Sequence, residues 1–171
     1  MFIIFSGLPG TGKSTIAQLL AAQTGALWLR IDTIEQAIRS SEVLADNADV
    51  GPAGYKAACC IAADNLRLGH KVIADSVNPI KMSRDAYRDT ATKLGSQFLE
   101  VEIICTDKLL HRNRVETRQV TVEGLVLPTW QQVENHDYEP WDRPCIRLDT
   151  SSLSADECVE HIIACLNRVA D

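Results

Sequence analysis

The sequence predicts an α/β fold of three layers, α/β/α, on a five-stranded parallel sheet. Two observations carry this expectation. Short apolar runs alternate with segments of helical period along all 171 residues. The runs are apolar throughout, without the in-out alternation of a half-exposed strand, which is the pattern of a parallel sheet covered on both faces. The element order reads β-α-β-α-α-β-α-β-α-β-α.

Residues 2–6 form the first buried strand, ended by Gly7. Lys13 to Thr24 carries Ile16, Leu19 and Leu20 at helical spacing and stops before Gly25, a C-terminal cap. Ala26 to Ile31 is the second strand. Asp32-Thr33-Ile34-Glu35 then has the capping-box form, with Ile34, Ala37 and Ile38 behind it. Residues 40–53 are polar, with Asp46, Asn47, Asp49, Gly51 and Pro52, and predict a loop or flap. Gly54 to Leu68 is an Ala-rich helix stopped by Gly69. Lys71 to Asp75 is the third strand. Asn78-Pro79 predicts a helix start, Asn as cap and Pro at the first helical position, in a helix ending before Gly95. Phe98 to Cys105 is the fourth strand, and Thr106 is placed as cap of a helix through about Arg118. Residues 119–140 mix Gly124, Pro128 and Pro140 with Trp130 and Tyr138 and are expected to be partly irregular. Cys145 to Leu148 is the last strand. Ser154-Ala155-Asp156-Glu157 is a capping box for a final helix with Val159, Ile162, Ile163, Leu166 and Val169 on one face.

The length points to one domain, 1–171, large enough to bury a core without disulfide or metal support. Net charge is −6, which counts against a broad nucleic-acid footprint while leaving room for a local cationic site. The apolar N-terminal run is too short for a transmembrane helix and lacks the basic start of a signal peptide, so no membrane contact and cytoplasmic residence are expected. Six cysteines lack C-x-x-C spacing and read as reduced, mostly buried thiols; a metal site is the alternative.

Gly7-Leu8-Pro9-Gly10-Thr11-Gly12-Lys13-Ser14 matches the Walker A pattern in full, between an apolar strand and an amphipathic helix. This makes the predicted fold that of a P-loop NTPase. The glycines let backbone N–H groups face phosphates, and the helix N-terminus adds its positive end. Lys13 supplies a point charge for the β- and γ-phosphates of ATP, and Ser14 a hydroxyl for Mg²⁺. Thr15 completes the nucleotide-binding segment. A dinucleotide G-x-G-x-x-G and a guanine-reading N-K-x-D are both absent.

Asp32 and Asp75 each stand at the carboxyl end of a strand, where ligands of doubly wound sheets lie. Asp32 reads either as the base that takes a proton from an acceptor hydroxyl or as a helix cap, and the roles are compatible. Asp75, in the Walker B layout, reads as a Mg²⁺ partner or as a structural carboxylate. Arg114 and Arg118 are four apart and share a helix face; they read as a phosphate and adenine fork or as a solvated basic face. Trp28, Trp130, Tyr138 and Trp141 read as acceptor-pocket lining or as packing. The four histidines form no recognisable constellation.

GLPGTGKST at 7–15, Asp32, VIADSVN at 72–78, Arg84 and LLHRNRVETR at 109–118 together resemble the small P-loop kinases of the nucleoside-monophosphate-kinase-like group. Within it they look most like the AAA-type kinases that include the polynucleotide 5′-kinase domain, zeta toxins, chloramphenicol phosphotransferase and gluconate kinase. The resemblance implies ATP and Mg²⁺, transfer of the γ-phosphoryl group to a hydroxyl of a small molecule, and a short lid at about 119–138. It implies Asp32 as base, Arg114 near the adenine and Arg118 on the phosphates, with Lys13 and Arg118 counted with Asp32 as catalytic. A nucleotide or nucleic-acid end kinase, and an ATP-binding regulator without acceptor chemistry, are the alternatives.

Overall fold

The structure, a computed structural model, describes residues 1–45 and 48–170, with side chains through Arg168. The Asp46-Asn47 part of the expected flap and the Val169 side chain lie outside the described residues.

Five strands are present: β1 (Phe2–Ser6), β2 (Leu27–Arg30), β3 (Val72–Asp75), β4 (Phe98–Ile104) and β5 (Ile146–Asp149). They pair in parallel in the order β2-β3-β1-β4-β5, the predicted doubly wound sheet. The helices are α1 (Lys13–Thr24), α2 (Ile31–Ser40), α3 (Ala53–Arg67), α4 (Lys81–Lys93), α5 (Lys108–Thr117), α6 (Trp130–Glu134) and α7 (Ala155–Ala170).

β1 is buried at every position because both of its faces are covered. Ile3 and Phe5 face one way and join Ile16, Leu20, Ile162 and Leu166 of α1 and α7. Phe2 and Ile4 face the other and join Ala58, Ala62, Tyr87 and Ala91 of α3 and α4. That period of two, repeated on both faces, is why the strand sequence is apolar without alternation.

Several element ends differ from expectation. α2 begins at Ile31 with Arg30 as N-cap, so Asp32 is already inside the first turn and its side chain caps nothing. Nor does Glu35 act as a reciprocal cap; it lies against Gly54 of α3. α4 begins at Lys81, not at Pro79. Asn78 is buried, adopts φ 49°, and donates from Nδ2 to Ser6 Oγ at 3.0 Å, bracing the β3 end against the β1 end. Asp107, not Thr106, caps α5, accepting from the amides of Leu109 and Leu110; the Thr106 hydroxyl is held by Asp149 instead. α5 ends at Thr117, and Arg118 is extended at φ −64°, ψ 143°, so it does not share a helix face with Arg114. The capping box at Ser154 and Glu157 forms as expected. Of the six free cysteines only Cys105 and Cys158 are buried, fewer than the sequence suggested. Among the described residues no helix is long and apolar enough to cross a membrane.

Residues 119–145 hold one short helix, α6, closed by a Thr129–Gln132 capping box. Its return, 138–141, is pinned by Arg84 of α4. That side chain is 0% exposed. It donates to the carbonyls of Asn78, Pro79, Glu139 and Pro140 and lies between the rings of Tyr138 and Trp141, 4.9 and 4.5 Å from their centroids. Four carbonyl dipoles and two π-faces thus take the place of a carboxylate for this buried cation.

Candidate active site

A cavity of about 620 Å³ opens at the carboxyl ends of β1, β2 and β3. The strand-to-helix turn between β1 and α1 forms its floor. At Gly7, φ is 135°, and a Cβ there would be driven onto the Ile103 carbonyl of the neighbouring strand. At Gly10, φ is 83°, and a Cβ would collide with Val115 of α5. Both positions therefore require glycine for space as well as torsion. Gly12 caps α1 with φ 95° and no side-chain hydrogen bond, and the first turn of α1 holds no acidic residue. The leading amides of α1 thus lack intrahelical acceptors beside the cavity, an arrangement that suits an anion.

Neighbouring elements fix the loop. Gly7 N donates to Val77 O at 3.0 Å, and Thr11 Oγ1 donates to Leu8 O at 2.9 Å. Thr150, just past β5, donates to Thr11 O at 2.8 Å. His111 of α5 bonds Pro9 O at 2.8 Å and meets Trp130 of α6 edge-on at 5.2 Å. The segment after α5 is thereby mechanically joined to the phosphate loop.

Of the expected nucleotide-binding residues, Pro9, Gly10, Gly12, Lys13, Ser14, Thr15 and Arg114 line the cavity. Gly7, Leu8 and Thr11 do not; they shape the loop from behind. Lys13 donates from Nζ to Leu8 O at 3.0 Å, which folds its head back over the loop. Burial pushes the Lys13 ammonium down to about 8, with Asp75 and Asp32 opposing that shift and Arg118 and Arg30 adding to it.

Asp75 ends β3 and is 3% exposed. The β2–β3 register sets Trp28 of β2 beside this strand end, and Trp28 Nε1 donates to Asp75 Oδ2 at 3.2 Å. Burial raises the Asp75 carboxyl, and the Lys13 charge, the Ser14 hydroxyl and Trp28 hold it back. Ser14 and Asp75 offer a hydroxyl and one carboxylate, a hard, all-oxygen set with too few ligands for a closed cage. That is the donor set Mg²⁺ uses when phosphates and water complete its shell. Among the described residues no group of three or more His, Cys, Asp or Glu residues able to hold a metal occurs.

Asp32 also lines the cavity, half-exposed, 3.6 Å from Arg30 Nη2. With the carboxylate free of a capping role, it is open to a ligand. Arg118 faces the same space; burial lowers its pKa, Asp32 opposes this, and Arg30 adds to it. Arg114 is turned to the opposite wall, donating to Thr150 Oγ1 at 2.8 Å and Thr150 O at 3.1 Å. The cavity thus gathers Lys13, Ser14, Asp32, Asp75, Arg114 and Arg118 from four separate stretches of chain. Trp28 meets Asp75, whereas Trp130, Tyr138 and Trp141 pack outside the cavity.

Sequence reasoning passed over Arg30, His111 and Thr150. Arg30 lies two positions from Asp32, and His111 three from Arg114. Thr150 follows a strand end and has no motif around it.

A search of curated proteins returns no significant match. Solved structures do match. The chain superposes on Mycobacterium tuberculosis APS kinase CysC in complex with AMPPNP and APS with a TM-score of 0.73 at 19% identity, covering 97% of this chain and 96% of that one. Chaetomium thermophilum Kti12 in complex with ADP-AlF3 gives 0.70 at 20%, covering 96% and 98%. A gluconokinase from Sinorhizobium meliloti 1021 gives 0.65 at 19%, covering 98% and 92%. At such identities the likeness establishes the fold, that of P-loop kinase-like domains. A family model described as an AAA domain matches residues 2–133, and with its phosphate loop, sheet order and strand-end acids the chain belongs to that family.

Proposed function

We propose that the chain is a single-domain ATP-dependent phosphotransferase that moves the γ-phosphoryl group of ATP to a hydroxyl of a small molecule. One observation carries this reading: the uncapped Asp32 carboxylate shares one cavity with Lys13, Ser14 and Asp75. A carboxylate opposite the phosphate loop is placed to take the proton of a hydroxyl that approaches the γ-phosphate.

In this account the loop amides and Lys13 hold the β- and γ-phosphates. Ser14 and Asp75 would hold Mg²⁺, which supplies charge neutralisation on the phosphate oxygens. The acceptor oxygen attacks phosphorus in line with the departing β-γ bridging oxygen, which keeps the bond's electron pair on ADP. Asp32 takes the acceptor's hydroxyl proton. Arg118 meets negative charge spread over the transferring group, and Arg114 borders the nucleoside side. Residues 119–138 act as a lid that excludes water, coupled to the loop through Trp130 and His111. Small acceptors are favoured by the cavity size and by the acidic overall charge.

The test is ADP release from MgATP across a panel of hydroxyl metabolites, run beside Asp32→Asn. The reading requires an acceptor that accelerates ADP release in the native protein and not in Asp32→Asn. A panel that never exceeds the variant's background favours an ATPase without acceptor chemistry.

A further inference from the structure

The acceptor half of the cavity holds an arginine that the transfer chemistry does not use. Arg30 is the last residue of β2, where its side chain emerges beside Asp32 and is largely buried. A guanidinium has five N–H donors in a rigid fork. Here one of them meets Thr121 Oγ1 at 2.8 Å, and the Asp32 carboxylate stands at 3.6 Å, too far for a good hydrogen bond. Arg30 Nε is buried with no partner, and so is Arg118 Nε. Two buried guanidinium edges without acceptors, in one open cavity, are costly unless a ligand supplies the oxygens. Charge points the same way. Lys13 and Asp75 offset one another on the nucleotide side, whereas Arg30 and Arg118 outnumber the single carboxylate of Asp32. Burial lowers the Arg118 pKa, and of the two neighbouring charges Asp32 opposes the shift while Arg30 adds to it.

We propose that the acceptor carries an anionic group, a carboxylate or a phosphate or sulfate ester, held by the Arg30 guanidinium beside Asp32, with Arg118 bridging that anion and the transferring phosphoryl group. This rests on the kinase reading above and adds a substrate class to it. The fork would take the acceptor's anion while Asp32 takes its hydroxyl, so the substrate is a hydroxy acid or a hydroxyl-bearing ester of phosphate or sulfate.

The probe is inorganic sulfate, titrated calorimetrically into protein saturated with Mg²⁺ and AMPPNP, so that the γ-phosphate position is already filled. Saturable sulfate binding is expected. Arg30→Met should weaken it at least about tenfold at unchanged AMPPNP affinity, and Asp32→Asn, which removes a repelling carboxylate, should strengthen it severalfold. Should Arg30→Met fail to fold, Arg30→Lys keeps one charge without the fork and should weaken sulfate severalfold. AMPPNP binding without sulfate binding, or equal sulfate affinity in the Arg30 variant, overturns the anionic acceptor and leaves the nucleotide site standing. Absence of AMPPNP binding overturns the kinase reading itself. Transfer assays on matched pairs then separate the sources: a hydroxy acid or a phosphate ester should exceed its neutral polyol counterpart at least about a hundredfold in kcat/KM. A neutral polyol that performs equally well sinks the proposal.

Discussion

Nucleotide binding should be coupled to proton uptake by Lys13. In the free protein, burial holds this ammonium at about 8. Polyphosphate beside it returns the group towards, or above, the ordinary lysine value of about 10.4. Between these limits the free protein lacks a proton that the complex holds. At pH 9 about nine-tenths of the free protein is neutral at Lys13, so binding takes up about 0.9 proton; at pH 7 it takes up about 0.1. Affinity should therefore fall about tenfold from pH 7 to pH 9, or ~1.4 kcal/mol. Stability of the free protein should move in the opposite direction. Its folded-state pKa is below the unfolded one, so the unfolded chain holds the extra proton, and stability rises as pH climbs from about 8 to about 10.4. The assay is calorimetric titration of MgADP in buffers of different ionisation enthalpy at pH 8 to 9, where the nucleotide's phosphates have already lost their protons. Uptake near zero at pH 9, with binding intact, would refute the reasoning, because a lysine charged before binding has nothing to gain.

Four further outcomes follow from particular contacts. Asp32→Asn should bind MgATP as the native protein does while phosphoryl transfer falls about 10²–10⁴-fold, as measured by binding and turnover on the same preparation. Gly10→Ala should lower stability by about 1–3 kcal/mol and weaken nucleotide binding, because φ is 83° there and Val115 occupies the Cβ position; an unchanged melting curve would contradict this. Arg84→Leu should cost about 2–4 kcal/mol in denaturant unfolding, since it strands the carbonyls of residues 78, 79, 139 and 140 that Arg84 now serves. Burial raises the Asp149 carboxyl, and the hydrogen bonds from Thr106 and Ser151 together outweigh it, so the carboxyl is held below the usual range. Its contribution is then present above about pH 4 and lost as pH falls below that, and Asp149→Asn should flatten the acid limb of a stability-pH curve.

The phosphate loop and the sheet could be read directly from the chain because their causes are local. Glycine at 7, 10 and 12 answers to a local backbone torsion, with φ of 135°, 83° and 95°, and the central strands β1 and β3 announce themselves as runs buried on both faces. Caps were read less well, because neighbouring residues compete for them. Thr106 and Asp107 are both good caps, and Asp107 takes the role once Thr106 is engaged by Asp149 on β5. Asn78-Pro79 carries a sound local helix-start signal, overridden by a hydrogen bond from the Asn78 side-chain amide to the Ser6 hydroxyl, 72 residues away. What had no local signature was the set of long-range contacts that finishes the site: Arg30 to Thr121, Thr150 to Thr11 and His111 to Pro9. Their partners are one hydroxyl and two backbone carbonyls, 91 to 139 positions away, and only the folded sheet brings them together.

The most direct test of the whole account is equilibrium titration of the folded protein with ATP, with and without Mg²⁺, beside Lys13→Ala. One nucleotide per chain should bind, with affinity falling at least about tenfold on chelation of the metal or loss of the lysine. A well-folded protein that binds no adenine nucleotide, or binds it equally after Lys13→Ala and without Mg²⁺, would contradict it.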